Sequence, residues 1–239
     1  MDYHDALATL GIGSAHPGGF RMTLAWLDQV RIQPSADVLD VGCGTGRTAC
    51  FVAKRSGAAV TGVDIRRTMV EKARRRNTVM GLNVRFLRVK PGRLPFPDDA
   101  FDVVVAESVT VFNPARRMLR EYARVLRPGG VLVETEMSAA APLPRDVLQD
   151  FQTVYGAADI PTVRGWREWI TDAGLSDVRV LFSGPISSLM LESDLVDDHA
   201  DPDPGGVSAD VAKVTQANGE LMARHAHWLH YAVLVAHKA

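Results

Sequence analysis

Gly42, Gly44 and Gly46 fall at every second position after the apolar run Val38-Leu39-Asp40-Val41, with Cys43 and Thr45 between them. A buried strand that runs into glycines and then into a helix is suited to one kind of chemistry. The glycines reach turn dihedrals closed to other residues and let the backbone approach a ligand. Dinucleotide sites use a similar device, but a dehydrogenase fingerprint needs its third glycine at position 47, which is Arg47. Downstream, Val60-Thr61-Gly62-Val63-Asp64 puts an acid at the end of a second strand. At that separation a carboxylate accepts from the two vicinal hydroxyls of an unphosphorylated ribose. Asp64 also precedes a helix, so an N-cap is the plain alternative. Beside the glycine loop the ribose role is favoured. Two further segments, Leu94-Pro95-Phe96-Pro97-Asp98-Asp99-Ala100-Phe101-Asp102-Val103-Val104 and Arg124-Val125-Leu126-Arg127-Pro128-Gly129-Gly130, imply no mechanism from residue chemistry alone.

The elements that would position these residues alternate. Strands are predicted at Val38–Val41, Ala59–Val63, Val84–Leu87, Phe101–Ala106 and Val131–Glu136, with helices over Thr48–Ser56, about Arg67–Met80 and Pro114–Leu126. Pro114 suits a first helical turn, and Gly129-Gly130 is expected to stop its helix. This alternation implies βαβ units and a mostly parallel sheet covered on both faces. Beyond residue 138 it loosens: helices at Pro144–Tyr155, Arg164–Ala173 and Ser208–Arg224, and strands at Val178–Phe182 and His230–Ala236. The stretch Ser183–His227, with an acidic Pro/Gly-rich part at Asp194–Gly206, is long enough for a cover or a mobile loop; Asp197–Asp203 reads as a solvated connection.

The four segments together resemble the class I S-adenosylmethionine-dependent methyltransferases, in the small-molecule branch that includes quinone-biosynthesis enzymes. The resemblance covers about residues 34–182. It implies an α/β, Rossmann-like, doubly wound seven-stranded sheet, mostly parallel with the last strand antiparallel. One domain is expected: an N-terminal helical cap at 1–33, a cofactor core at 34–182, an insertion at 183–227 and the last strand at 228–239. By the same resemblance, Asp40 and the loop Gly42, Cys43, Gly44, Thr45 and Gly46 hold the methionine part of S-adenosylmethionine, and Asp64 binds its ribose. Ile65 packs on the adenine, Gly92, Arg93 and Leu94 edge it, and Glu107 lies near the sulfonium and the acceptor. One departure stands out. Where the family usually has Gly-Asp-Ala, this chain has Val89-Lys90-Pro91, and an ammonium has only donors to offer the adenine amino group.

Methyl transfer needs chiefly alignment and exclusion of water, so no catalytic dyad need be visible. The candidates are His16 and Glu107 as bases. Pro17, Gly18, Gly19 and Phe20 form a turn that folds over the site, the alternative being a helix-linking turn with an exposed histidine. Phe112 and Tyr155 are candidates for an acceptor pocket, with core packing as the default. Arg74, Arg75 and Arg76 read as a solvated helix face.

The 239 residues, 46% hydrophobic and 23% charged, describe an ordinary globular chain rather than a disordered one. A formal net charge of -1 gives no global field toward nucleic acid or membrane. The place after the fourth strand reads Glu107-Ser108-Val109-Thr110 rather than the Asn/Asp-Pro-Pro-aromatic loop of base-amine methylation. Two cysteines, Cys43 and Cys50, lack a second pair for zinc, and His225, His227 and His230 lack ligand company, so no metal is expected. No membrane partner is expected, and the compartment read from the cysteines is a reduced cytoplasm. The partners expected are a small-molecule acceptor and, at most, a second copy of the chain. The readings to be separated are a small-molecule methyltransferase, a non-catalytic S-adenosylmethionine-binding module and a nucleic-acid methyltransferase.

Overall fold

The computed structural model describes residues 1–189, 196–204 and 207–239. Valine-containing apolar runs form strands at Asp37–Val41 (β1), Ala59–Asp64 (β2) and Phe101–Glu107 (β4), a short Phe-Leu pair forms Arg85–Arg88 (β3), and longer strands follow at Leu126–Ala139 (β5), Leu175–Pro185 (β6) and Leu229–Lys238 (β7). They make one seven-stranded sheet in the order β3-β2-β1-β4-β5-β7-β6. β1 through β5 pair in parallel, and β7 lies antiparallel to both β5 and β6. The doubly wound sheet with an antiparallel final strand is therefore as expected.

Helices Tyr3–Leu10 (α1), Gly19–Leu27 (α2), Arg47–Ser56 (α3), Arg67–Val79 (α4), Ala115–Val125 (α5), Arg145–Asp150 (α6), Val163–Asp172 (α7) and Ala209–His225 (α8) surround it. On one face Trp26, Ala49, Cys50 and Ala73 of α2–α4 pack on Val38, Val60, Val103 and Val105. On the other, Leu119, Tyr122, Trp166 and Ile170 of α5 and α7 pack on Leu39, Val41, Val104 and Leu132. Side chains alternate along a strand, so Asp40 shares the face of Val38, and Glu107 that of Val103 and Val105. Both acids are thereby aimed toward α2 and α3.

The sheet order reverses between β1 and β4, and in open α/β sheets the crevice beyond the carboxyl ends at such a reversal is where ligands sit. Gly42 follows β1 and Glu107 ends β4, the two strands that border it, and Asp64 ends β2 beside them.

Three expectations are corrected. The α5 helix ends at Val125, so Gly129-Gly130 does not stop it. Those glycines lie inside β5, where Phe101 pairs with Leu126 but Val103 already pairs with Val131. The extra residues need a glycine at Gly129 (φ +77°). The helix expected over Pro144–Tyr155 is α6 followed by a π-helical turn at Phe151–Tyr155. Arg74 and Arg75 are exposed, but Arg76 is buried with Lys72. Met69, Lys72, Ala73 and Arg76 recur at the three- and four-residue spacing of one helix face, and that face turns inward. Of the acidic stretch Asp194–Gly206, residues 194, 195, 205 and 206 lie outside the described residues, as do 190–195 of the expected insertion. No helix among the described residues is long and apolar enough to cross a membrane.

Two carboxylates lie deep in the core. Glu134 and Glu136 stand two apart on β5, fully buried and beside Tyr122. Burial and the adjacent Glu136 push Glu134 well above the carboxylate range. Burial pushes Glu136 up to about 8 from an ordinary 4.5, against the backbone N–H groups of Thr110 and Val109 that pull it down. The native state thus holds protons that the unfolded chain releases near 4.5, and stability falls as pH rises from there toward 8. Denaturant unfolding is expected to give a stability lower by about 2 kcal/mol or more at about pH 8.5 than at about pH 5. Glu136→Gln, neutral throughout and still able to accept, flattens that slope. Equal wild-type stability at both pH values would contradict the assignment.

Candidate functional site

The turn after β1 is built by backbone conformation. Gly42, Gly44 and Gly46 have φ of +68°, +52° and +78°, values that L side chains reach only with strain. Cys43 N–H donates to Val63 O and Gly46 N–H to Cys43 O, which folds the loop back on β2. The three glycines serve different purposes. A Cβ on Gly42 would meet Val109 Cγ2 at 2.3 Å, and one on Gly46 would meet Phe86 and Ala73 below 3.0 Å, whereas one on Gly44 would enter open space. At Gly42 and Gly46 a side chain is therefore excluded by packing, whereas at Gly44 the place a side chain would take is open. Gly42→Ala is expected to lower stability by about 2–3 kcal/mol through strain and overpacking. Gly44→Ala costs about 1 kcal/mol of stability, from the left-handed backbone alone, and is expected chiefly to weaken ligand binding. Thermal unfolding and calorimetric titration of the pair check this, and equal Tm losses would contradict it.

Asp64 ends β2 with its carboxylate fixed from both sides. Gly44 N–H donates to Oδ2 (3.1 Å) and Arg66 N–H to Oδ1 (2.7 Å). Burial raises its pKa, and those N–H groups and the Arg66 charge oppose the rise. Asp40 is buried on β1, and its Oδ2 has no partner among the described residues. Burial, with Glu107 and Asp64 nearby, holds it well above the carboxylate range.

Two cavities meet here. The larger, 640 Å³, runs from Ile65, Lys90, Gly92, Arg93 and Leu94 to Phe112 and Tyr155. The smaller, 90 Å³, is walled by Asp40, Cys43, Gly44, Thr48, His16 and Glu107. Gly42, Asp64, Arg66, His4 and Ser108 line both. The arrangement suits an elongated ligand. The Asp40 oxygen without a partner among the described residues would take an ammonium group at one end, Asp64 in the middle would take paired hydroxyls, and a mixed wall at the other end would take a flat ring.

Most of the site residues expected from the sequence come together, and some do not. Thr45 and Gly46 line neither cavity; Thr45 turns toward Arg76, whose Nε donates to Thr45 O at 2.9 Å. Pro17, Gly18, Gly19 and Phe20 line neither. Gly18 (φ +78°) starts α2, which carries Phe20 under the Arg47 guanidinium, 4.1 Å from the ring centroid, and against Phe51. His16 is not an exposed turn residue: its side chain is 4% exposed, with Nε2 3.2 Å from Thr23 Oγ1 and 3.6 Å from Glu107 Oε2. Glu107 accepts from Thr23 Oγ1 (2.9 Å), Trp26 Nε1 (2.9 Å) and Thr48 Oγ1 (2.7 Å), which ties α2 and α3 to the end of β4. Lys90 is exposed at the wall of the larger cavity, and Leu94 N–H is taken by Glu121.

Three residues were not singled out from the sequence. Tyr3 and His4 of α1 close a ring cluster with Phe112 and Tyr155, His4 standing edge-on to Phe112 at 4.3 Å. Burial and the Arg66 charge push the His4 pKa down to about 4, so its ring is neutral at ordinary pH. Ser108 sits at φ +54°, rare for a side-chain-bearing residue, with a buried hydroxyl that has no partner among the described residues. The loop holding it is pinned by Glu136, whose Oε1 accepts from the N–H groups of Val109 (2.8 Å) and Thr110 (2.6 Å). A Ser beside an acid at a strand end carries no distinctive signal, and a histidine at position 4 carries none at all.

Comparison with known proteins places this geometry. The sequence family described as a methyltransferase domain matches residues 38–130. An uncharacterised methyltransferase of Bacillus subtilis (strain 168), YodH, is 31% identical over 179 residues, which is 75% of this chain and 76% of the relative. Demethylmenaquinone methyltransferase of Thermus thermophilus is 38% identical over 130 residues, 54% of this chain and 58% of the relative. Among solved structures, the [4+2]-cyclase SpnF superposes with a TM-score of 0.71 at 27% identity, over 91% of this chain and 80% of that one.

Proposed function

The chain belongs to the S-adenosylmethionine-dependent methyltransferase family, and from that premise we propose that it transfers the methyl group to a small-molecule acceptor held in the larger cavity. The observation that carries this reading is the Asp64 carboxylate, fixed by two backbone N–H groups where the two cavities meet. The residues fit the cofactor: the unpartnered Asp40 Oδ2 suits the ammonium of its methionine end, Asp64 its ribose, and the wall from Ile65 to Leu94 its adenine. When bound, S-adenosylmethionine supplies an already activated methyl group.

The chain's own part is to align and to exclude water. Ser108 and His4 line both cavities and would stand between a bound cofactor and the acceptor, where the neutral His4 ring would add no charge against a sulfonium. Glu107 holds α2 and α3 closed over the methionine end, and its three donors favour that holding role over proton transfer. His16, on the wall of the smaller cavity, is the candidate to accept a proton where the acceptor's reacting atom carries one and reaches the junction of the two cavities. The rings of Tyr3, Phe112 and Tyr155 favour an acceptor with an apolar or aromatic surface. By function the chain divides into an N-terminal cap at 1–33, a cofactor core at 34–182, a cover at 183–227 and a closing strand.

The likeness to a cyclase favours a second reading, in which the cofactor is bound but its methyl is not moved. Incubation with methyl-labelled cofactor and a small-molecule extract, and in parallel with total nucleic acid, separates the two. Label in a low-mass product supports transfer. Label that stays in bound cofactor supports the second reading, and label in nucleic acid overturns both.

A further inference from the structure

The acidic segment around Asp197, unreadable in the sequence, meets the buried cations of α3 and α4. Arg76 is buried, with its side chain 3% exposed, and clamps Asp197 bidentately, Nη1 to Oδ1 and Nη2 to Oδ2, each at 2.7 Å. The same guanidinium donates from Nε to Thr45 O at 2.9 Å and from Nη2 to Thr45 Oγ1 at 3.3 Å. Arg47 approaches from α3: its Nε lies 3.8 Å from Asp197 Oδ2, its Nη2 donates to Val196 O at 2.9 Å, and its Nη1 reaches Ser14 Oγ at 3.4 Å. Lys72, 3% exposed, pairs with Asp203 at 2.8 Å and donates to Asp201 O. Asp203 N–H in turn donates to Thr9 O of α1 at 2.8 Å. Between Asp197 and the glycine loop lies Gly13. A Cβ there would meet Asp197 Oδ2 and Thr45 Oγ1, each at 2.8 Å, so only a hydrogen fits.

We propose that Asp197 is a positioning residue of the cofactor site, fixing through Arg76 the Thr45 turn of the glycine loop and through Gly13 the wall of the smaller cavity. The inference rests on the reading of that cavity as the methionine end of an S-adenosylmethionine site. Thr45 lines neither cavity itself, yet it sits directly after Cys43 and Gly44, which wall the smaller one. The turn is held because a guanidinium has five donors in a rigid plane. With two of them on Asp197, the remaining edge is aimed at Thr45. Burial alone would raise the Asp197 pKa, but Arg76 and Arg47 hold it below its usual value, so the anchor stays charged. Without the carboxylate, Arg76 is a buried cation lacking its bidentate partner and has reason to leave Thr45 for solvent.

The test is calorimetric titration of S-adenosylhomocysteine into wild type, Asp197→Asn, Asp197→Glu and Gly13→Ala, with Tm measured for each. Asp201→Asn, whose side chain pairs with the exposed Arg75 at 2.7 Å, is the control. Asp197→Asn is expected to weaken affinity about tenfold or more, with Asp197→Glu recovering part of the loss. Gly13→Ala, which keeps every charge, should weaken it similarly by separating Asp197 from Thr45, and Asp201→Asn should bind as wild type does. In turnover assays the loss belongs in KM for the cofactor and not in kcat. A lower Tm with unchanged affinity in both Asp197→Asn and Gly13→Ala would show a merely structural tie and overturn the proposal. Wild type that fails to bind S-adenosylhomocysteine at all would instead overturn the reading of the site on which the proposal stands.

Discussion

Asp64→Ala is expected to lose at least about a hundredfold in affinity for S-adenosylhomocysteine. A hydrogen bond to a charged acceptor contributes about 1.5–3 kcal/mol, and the geometry offers Asp64 to two ribose hydroxyls at once. Its oxygens are already oriented by Gly44 N–H and Arg66 N–H, so little further ordering is needed on binding. Removing the carboxylate also frees the Gly44 N–H that helps set the glycine loop. Asp64→Asn keeps the shape and one acceptor oxygen and should lie between, weaker by about tenfold. Titration calorimetry reads both. Asp64→Ala binding as tightly as wild type would return Asp64 to a local helix-start role.

Glu107→Ala should be the most destabilising of these substitutions, by about 4 kcal/mol, because it strands three donors in a buried place. Those donors are the Thr23 hydroxyl, the Trp26 indole N–H and the Thr48 hydroxyl, the last at 2.7 Å. Trp26 is fully buried, so its indole cannot turn to water without opening the α2 side of the core. For a chain of this size the loss corresponds to a fall in Tm of about 8–16 °C. The near-ultraviolet dichroism of Trp26 should change with it. Glu107→Gln, which keeps an acceptor oxygen, should cost less than half as much. A variant with wild-type Tm and strongly reduced turnover would instead assign Glu107 to proton transfer.

What the sequence made legible was local. A strand running into alternate glycines needs positive φ wherever it is placed, and all three glycines have it. The acid at the end of the next strand comes to rest beside them because parallel neighbours in register bring Asp40 opposite Gly62, and β2 ends two residues later. What stayed hidden depended on distance or on a turn's exact course. Arg76 and Asp197 are 121 residues apart, and helix periodicity cannot announce that a run of arginines turns one member inward to meet a carboxylate from beyond β6. Phe20 follows a Pro-Gly-Gly turn that suggests a cover. The turn is instead the start of α2, and one helical residue decides whether a ring faces the cavity or Arg47. Gly129-Gly130 after a helix usually marks its end, but the β4 ladder had already captured Leu126. His4 and Ser108 have their place only through the meeting of two cavities, which no spacing encodes.

The central claim is that the two joined cavities form an S-adenosylmethionine site, and thermal unfolding with S-adenosylhomocysteine and, separately, NAD tests it most directly. At a hundred times its Kd a ligand adds about 2.7 kcal/mol to native stability, or very roughly 5–11 °C in Tm for a chain of this size. The predicted result is a rise of that order with S-adenosylhomocysteine and none with NAD. An unchanged Tm with S-adenosylhomocysteine, or an equal rise with NAD, would contradict it.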